Sequence, residues 1–143
     1  MSLNKKMMQT KYFSNKIVTP FGKFDSKKEY YEFLRLKDME KRGEISNLML
    51  QPCFEIIPKL TKKVKVKLKT KVKYVDRVDE MAAHYTADFS YFLPNGQMVV
   101  CEVKSQGTIL ARDYPLRRKL VKQLFKKWNS EQGKEIYIFK EII

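Results

Sequence analysis

Histidine and cysteine are nearly missing from this sequence of 143 residues, which contains one His and two Cys. A structural zinc site usually takes about four His or Cys ligands. One His and two Cys without a CxxC pair therefore argue against a structural zinc site. Two cysteines are also too few for a disulfide framework. We therefore expect a reducing compartment, with Cys53 and Cys101 as small core residues.

Long hydrophobic runs are missing as well. No apolar run approaches the ~18 residues of a membrane span, and the N-terminus lacks the apolar core of a signal peptide. We therefore expect a cytoplasmic protein with no membrane partner. The length is sufficient for one domain with a real core but not for two.

Acidic residues are scarce relative to basic ones, with 16 Asp and Glu against 30 Lys and Arg and a net charge of +14. On charge alone, such an excess favours a polyanionic partner, whether DNA, RNA or an anionic membrane surface. Residues 1–20 are polar and basic with no clear period, which predicts a flexible N-terminal arm. Residues 21–143 are then expected to form a single domain.

The first half of that domain is predicted to contain a helix and a strand. Ser26 is a good N-cap, Glu29 completes a capping box three residues later, and Gly43 is suited to the position after the helix. Residues 44–51 are expected to form a connection. Residues 53–57 then have the composition of a buried strand that ends at a proline.

The last third of the chain is predicted to contain a second helix and a final strand. The helix opens at Asp113-Tyr114-Pro115, with Pro in its first turn, and is broken at Gly133. Residues 135–140 are expected to form a buried strand. With the intervening hairpin, the order helix, three strands, helix, strand predicts a mixed sheet flanked by helices, its last strand parallel to a neighbour.

Lysine alternates with mostly apolar residues over residues 61–74. On an extended chain every one of these lysines falls on one face. One or two would protect an edge strand against aggregation, whereas six indicate a phosphate-binding surface. The segment has no turn signal, which predicts one long strand or a splayed β-arm rather than a tight hairpin. The DNA-binding candidates are Lys63, Lys65, Lys67, Lys69, Lys71 and Lys73, together with Arg117, Arg118 and Lys122 of the second helix.

A β-hairpin is the feature around which the rest of the chain is organised. Residues 85–92 and 97–104 are rich in aromatic and β-branched side chains, and the turn sequence Leu93-Pro94-Asn95-Gly96 lies between them. Pro suits the first turning position, Asn the second, and Gly the left-handed residue that closes a three-residue loop with a bulge. This loop pairs Leu93 with Gln97 and thereby sets the register of the two strands.

That register brings two carboxylates together. Asp88 faces Glu102 directly across the ladder, and period-2 alternation puts Lys104 on the same face as Glu102. Two carboxylates suit Mg²⁺, a hard cation that takes oxygen ligands, and a neighbouring Lys can orient an attacking water. The same residues also fit a cross-strand carboxylate–lysine cluster on a solvated face. The residues alone leave both readings open.

Asp88 followed by Glu102-Val103-Lys104 resembles the D…(D/E)xK signature of the PD-(D/E)xK nuclease superfamily. More closely, the segments SKKE, YTADFSYF and VVCEVKS and the basic helix after them resemble a phage-associated branch of that superfamily. That branch is similar to Holliday-junction resolvases and to transposon end-cutting nucleases. The likeness covers roughly residues 21–139. One departure from the motif is Ala87, which stands before Asp88 where the motif has Pro.

The resemblance implies a restriction-endonuclease-like α/β fold of order αβββαβ, here with an extra basic β-arm. It also implies a Mg²⁺-dependent DNA endonuclease in which Mn²⁺ can substitute, working in phage or mobile-element DNA processing. The location would be a bacterial host cell or a phage-infected cell. A homodimer is implied because a branched junction needs two cuts.

Site residues follow from the same resemblance. The implied catalytic residues are Lys104, Asp88, Glu102 and Glu29. Glu32 is the alternative to Glu29 as the carboxylate from the first helix. The implied metal ligands are Asp88, Glu102, Glu29 and the backbone carbonyl of Val103. Two other functions remain open, a non-catalytic nucleic-acid-binding protein and a structural or partner-binding subunit.

Overall fold

The computed structural model describes residues 16–110 and 112–143. The described elements, in chain order, are β1 (Ile17–Thr19), β2 (Gly22–Phe24), α1 (Lys27–Lys41), β3 (Ser46–Leu50), β4 (Cys53–Ile57), β5 (Leu60–Lys67), β6 (Val72–Glu80), β7 (Ala83–Thr86), β8 (Phe89–Phe92), β9 (Met98–Val103), α2 (Tyr114–Gln132) and β10 (Tyr137–Ile142). Most of the expected N-terminal arm lies outside the described residues, and its last part forms β1, which pairs with β2.

A four-stranded mixed sheet of order β10-β9-β8-β3 forms the centre of the fold. The β8–β9 and β3–β8 pairs are antiparallel, whereas β9 and β10 are parallel. The α/β class and the parallel last strand are therefore confirmed. The parallel pair requires a crossover connection, and α2 supplies it.

The two helices cover opposite faces of this sheet. On one face, Phe33 and Leu36 of α1 pack with Phe89 and Cys101 in a buried cluster. On the other, α2 packs against a second cluster that includes Val100. Because successive residues of a strand point to opposite faces, β9 serves both clusters and is buried along most of its length.

The predicted ends of α1 are confirmed. The Ser26 hydroxyl accepts a hydrogen bond from the Glu29 N–H at 3.1 Å, as an N-cap should. At the other end Gly43 has φ +77°, and the Glu44 N–H donates to the Met39 carbonyl at 3.0 Å. This is a Schellman motif, in which a left-handed glycine lets the chain turn back over the last carbonyls.

The first strand of the central sheet is β3, not residues 53–57 as predicted. The segment expected to be a connection pairs with β8 through a ladder that is shifted between Ser46 and Met49. Asn47 has φ +52°, so the strand is kinked and shows no period-2 alternation that a sequence could reveal.

The strand over residues 53–57 has the predicted bounds, but it is not the buried strand that the sequence predicted. It forms β4, which pairs with β7 in a separate two-stranded sheet, and its residues are exposed in alternation. Cys53 is exposed, so the expectation of two core cysteines is correct only for Cys101.

The lysine-rich segment is a hairpin, which corrects the prediction of one long strand. β5 and β6 pair antiparallel in their own two-stranded sheet, and the Leu68 N–H donates to the Lys71 carbonyl at 2.8 Å to close the turn. The two turning residues, Lys69 and Thr70, are neither Gly nor Asn, so no turn signal marks this position in the sequence. We call this hairpin, residues 60–80, the β-arm.

The second helix begins and ends where the sequence predicted. Asp113 is the N-cap residue, Pro115 lies in the first turn, and Gly133 caps the C-terminus with φ +69°. No helix in the described part of the chain is long and apolar enough to cross a membrane.

Candidate active site

The hairpin turn and most of its register are confirmed. The Leu93 N–H donates to the Gln97 carbonyl at 2.8 Å, and the ladder runs from Phe92–Met98 to Phe89–Cys101. These pairs are the ones that follow from pairing Leu93 with Gln97. The hairpin therefore places the start of β8 beside the end of β9.

The ladder ends one residue before the predicted Asp88–Glu102 pair. The Asp88 N–H donates to the Cys101 carbonyl at 3.1 Å, although Cys101 already pairs with Phe89. Two consecutive residues thus face one residue of the other strand, which is the arrangement of a β-bulge. The expectation that Asp88 lies directly opposite Glu102 is therefore wrong in its register.

The bulge turns the Asp88 side chain onto the backbone of β9. Its Oδ2 accepts a hydrogen bond from the Val103 N–H at 2.7 Å, and its carbonyl accepts one from the Gln51 N–H at 2.9 Å. Val103 lies between Glu102 and Lys104 in sequence. The Asp88 carboxylate is therefore held between Glu102 and Lys104 by a hydrogen bond from the backbone of Val103. The prediction was a direct cross-strand pairing with Glu102.

Glu102 is a buried carboxylate with both oxygens engaged. The residue is 5% exposed, its Oε2 accepts a hydrogen bond from the Tyr85 hydroxyl at 2.7 Å, and its Oε1 lies 3.1 Å from Lys104 Nζ. Burial raises the pKa of Glu102, while the Tyr85 hydroxyl and the Lys104 ammonium lower it. The two contacts thus favour the ionised form and orient it.

An aromatic ring lies against Lys104, and a second carboxylate fixes that ring. Its Nζ lies 4.7 Å from the centroid of the Tyr114 ring, and the Tyr114 hydroxyl donates to Glu141 Oε2 at 2.5 Å. Arg118 Nη1 lies 3.2 Å from the same Glu141 oxygen. Glu141 pairs with Glu102 in the parallel β9–β10 ladder, so it belongs to the same end of the sheet.

Burial and neighbouring carboxylates both raise the pKa of Asp88. Burial raises its pKa to about 8, with further contributions from the charges of Glu102 and Glu29, against the lowering effect of the Val103 N–H. Glu29 is 6% exposed, and burial also raises its pKa, with Asp25 and Glu102 adding to the rise. The three carboxylates therefore interact electrostatically.

The first-helix alternative, Glu32, is engaged elsewhere. Its carboxylate binds Arg35, with Oε1 2.5 Å from Arg35 Nη2, on the helix surface. Glu29 is instead directed inward from α1 and feels the charges of Glu102 and Lys104. Of the two, Glu29 is therefore the carboxylate of α1 whose charge interacts with those of the site residues.

The donor chemistry of this site fits a hard divalent cation held by few protein ligands. Within residues 16–110 and 112–143, no three His, Cys, Asp or Glu side chains converge as a group that could hold an ion. Mg²⁺ is commonly bound through one or two carboxylates, with waters and substrate oxygens completing its shell. Asp88 and Glu102 can supply such a pair. The ligand roles of all four groups, Asp88, Glu102, Glu29 and the Val103 carbonyl, stay predictions.

A cleft of about 310 Å³ opens beside Glu102 and Lys104, and Asp88 and Glu29 are not among its lining residues. Glu102 and Lys104 line it together with Tyr114 and Arg117 of α2. Arg117 Nε lies 2.6 Å from Asp113 Oδ2, and its Nη1 donates to the His84 carbonyl, so the guanidinium is held at the cleft.

The three basic residues predicted on α2 have different surroundings. Arg117 lines the cleft, Arg118 is committed to Glu141, and Lys122 is exposed with its Nζ 5.6 Å from the Phe139 ring centroid. Arg117 is also paired, with Asp113, but its side chain is 42% exposed against 21% for Arg118, so Arg117 and Lys122 are the more accessible to an external anion.

Sequence reasoning missed three residues that orient the site: Tyr85, Tyr114 and Glu141. Tyr85 was counted only as a strand residue, and Tyr114 only as part of a helix start. Glu141 could have been found by aligning the last strand in parallel with β9, which places it beside Glu102. No local signal marks either tyrosine as a partner of a charged group.

Tyr85→Phe should perturb Glu102 specifically. The change removes the hydroxyl that lowers the pKa of Glu102, so that pKa should rise further. Because a buried acceptor loses its partner, the free energy of unfolding should fall by about 1–3 kcal/mol. Carboxyl titration by NMR and denaturant unfolding measure the two effects.

Tyr91→Phe is the matched control for this change. The Tyr91 hydroxyl contacts Cys101 Sγ at 3.7 Å, and Tyr91 is buried in the α1-side cluster. Its replacement should leave the titration of Glu102 unchanged. An unchanged Glu102 titration in Tyr85→Phe would contradict the assigned contact.

The chain has been compared with known protein families, curated proteins and solved structures. The family described as a protein of unknown function (DUF1064) matches residues 9–135. No curated protein and no solved structure matches the chain. Because the match spans well over half of the sequence, this chain is a member of the DUF1064 family.

Proposed function

We propose that this protein is a Mg²⁺-dependent endonuclease that hydrolyses DNA phosphodiester bonds, with Mn²⁺ able to replace Mg²⁺. The observation that carries the proposal is the placement of Asp88, whose Oδ2 accepts a hydrogen bond from the Val103 N–H at 2.7 Å, between buried Glu102 and Lys104. Burial, with the charges of Glu102 and Glu29, also raises the pKa of Asp88 to about 8. Like charges that are shielded from water are costly unless they are paired or coordinate a metal. A divalent cation would relieve that repulsion.

The residues around the carboxylates have complementary roles in such a reaction. Bound Mg²⁺ would polarise a phosphoryl oxygen and lower the pKa of a water. Asp88 and Glu102 would hold it, with Glu29 and the Val103 carbonyl as further candidates. Lys104, whose Nζ is 3.1 Å from Glu102 Oε1, would orient the attacking water and offset the charge that builds on the phosphate.

The order of the central elements supports the same proposal. From α1 onward, and without the residues between β3 and β8, the chain runs α1, β3, β8, β9, α2, β10. This is helix, three strands, helix, strand, the order of the restriction-endonuclease-like fold that the chain resembles. The β-arm and its flanking strands β4 and β7 then form an insertion between the first two core strands.

The charge supports DNA as the partner. The net charge is +14, and Arg117 at the cleft and exposed Lys122 lie on the same helix that covers the site. We further propose that the protein acts on branched DNA as a homodimer, since a junction needs two cuts. Its setting would be phage or mobile-element DNA processing in the cytoplasm of a bacterial host or phage-infected cell.

One observation favours a second function, nucleic-acid binding without cleavage. The β-arm is a sheet separate from the one that carries Asp88 and Glu102, so its charge needs no chemistry at the site. A protein whose carboxylate cluster is only structural would still bind a polyanion through this arm.

A panel of DNA structures separates the two functions. Four-way, flapped, duplex and single-stranded DNA are incubated with the protein in Mg²⁺ and, separately, in EDTA. The nuclease proposal predicts Mg²⁺-dependent cleavage that is fastest on branched DNA, with none in EDTA. Tight binding with no cleavage of any of the four would favour the non-catalytic function.

A further inference from the structure

The β-arm carries lysines on both of its faces. In the β5–β6 ladder, Lys65 pairs with Tyr74 and Lys67 with Val72, so these residues share one face. Lys73 pairs with Val66 and therefore lies on the opposite face. The turn adds Lys69 and Lys71 between the two strands. The prediction that six lysines form one flat face is thus wrong, because the chain reverses direction in the middle of the run.

The charge of the β-arm is also uneven along its length. Near the base, Lys62 Nζ lies 3.7 Å from Asp79 Oδ1, and Lys63 Nζ lies 3.2 Å from Asp76 Oδ1. Residues 64–75, by contrast, contain five lysines and no acidic residue. The base is therefore largely neutralised, and the unbalanced positive charge is concentrated at the tip.

The tip also exposes apolar side chains among its lysines. Leu68 in the turn is 47% exposed, Val72 49% and Tyr74 64%. Phosphate contacts alone need no such groups, whereas base edges and thymine methyl groups in a DNA groove do offer apolar contact. The tip therefore combines cations on two sides with apolar groups at its end and on one face.

We propose that the tip of the β-arm enters the major groove of duplex DNA, with lysines of its two faces directed at the phosphates of the two groove walls. The inference rests on the proposal that the protein acts on DNA, but not on the metal site. A flat surface that follows one backbone would need its cations on one face. A major groove about 12 Å wide admits a two-stranded β-ribbon and presents phosphates on both sides of it.

Methylation of DNA by dimethyl sulfate tests groove entry, because it modifies guanine N7 in the major groove and adenine N3 in the minor groove. Wild-type protein on a duplex or a junction arm should protect guanine N7 and leave adenine N3 reactive. Protection should be lost in the tip variant Lys69→Gln/Lys71→Gln/Lys73→Gln. It should persist in the matched base variant Lys59→Gln/Lys62→Gln/Lys63→Gln, which loses the same charge.

A second comparison tests the use of both faces. Lys67→Gln and Lys73→Gln remove one lysine each from opposite faces near the tip. Each should reduce the slope of log affinity against log salt by roughly 0.9, the value for one phosphate contact on B-DNA. If only one of the two changes the slope, a flat single-face surface is indicated and groove entry is overturned.

The outcomes separate this inference from the nuclease proposal. Wild-type protein that binds DNA without protecting guanine N7 overturns groove entry but leaves cleavage at Asp88 and Glu102 untouched. Wild-type protein that binds no DNA overturns both. A tip variant that keeps DNA affinity but aggregates, as measured by light scattering, would show that the lysines only protect the strand edges, and would also overturn groove entry.

Discussion

Asp88→Asn should cleave DNA at least about 1,000-fold more slowly than the wild type, a loss of about 4 kcal/mol of transition-state stabilisation. The change removes the charge of one predicted metal ligand while keeping the size of the side chain. DNA binding should be unchanged or tighter, because the Asn side chain cannot ionise and so cannot repel phosphate. Single-turnover cleavage and fluorescence anisotropy on the same DNA measure the two quantities.

The matched control is Asp38→Asn, which makes the same chemical change on the exposed surface of α1. Asp38 Oδ2 lies 2.7 Å from Arg42 Nη1 in a pair that is more than half exposed on both sides. Surface pairs of this kind contribute little, so cleavage should be close to that of the wild type. Glu102→Gln and Lys104→Ala should fail like Asp88→Asn. Full activity in Asp88→Asn would end the nuclease assignment for this site.

The second large effect is a fall in the free energy of unfolding as pH rises, expected for the metal-free protein in EDTA. The pKa of Asp88 is about 8 in the folded protein, against 3.8 for the ordinary group. Between these values the folded state holds a proton that the unfolded state has released, so stability falls as pH rises from about 4 to about 8. The expected loss is on the order of a few kcal/mol, measured by denaturant unfolding at several pH values.

Two variations identify Asp88 as the source of this pH dependence. Asp88→Asn should flatten the curve and be more stable than the wild type near pH 8, since it carries no charge to repel Glu102. Addition of Mg²⁺ to the wild type should restore stability at high pH, because a ligand that binds only the folded state stabilises it. A wild-type curve that rises from pH 4 to pH 8 would contradict the assigned direction.

The helix ends and the hairpin turn are the parts of this fold that could be predicted from the sequence. Ser26, Gly43 and Gly133 mark helix ends because caps act through the nearest few backbone groups. Leu93-Pro94-Asn95-Gly96 likewise sets its own turn and hence the register from Leu93–Gln97 to Phe89–Cys101. These features depend on neighbours in the chain, so a single sequence carries them.

Features that depend on distant residues were missed. β3 is a strand because β8 offers it an edge, although its own residues show no alternation. The β-arm folds back at Lys69 and Thr70 because its two halves pair with each other, not because the turn residues demand it.

The same distinction applies to the site. The sequence identified Asp88, Glu102 and Lys104, which the hairpin brings to one end of the sheet. It missed the bulge that moves Asp88 onto the Val103 N–H, since bulges leave no composition signal. It also missed Tyr85 and Tyr114, which reach the charged groups only after the strands and α2 have packed.

The claim that Asp88 and Glu102 bind one divalent ion is tested most directly by titrating Mn²⁺ into the protein at pH 7 by calorimetry in buffers of different ionisation enthalpy. With the pKa of Asp88 at about 8, most of the folded protein holds a proton there before the ion binds. We expect a Mn²⁺ site in the wild type that releases about one proton on binding and is lost in Asp88→Asn. Equal Mn²⁺ binding by the two proteins would contradict the shared site, whereas wild-type binding with no proton release would contradict only the raised pKa of Asp88.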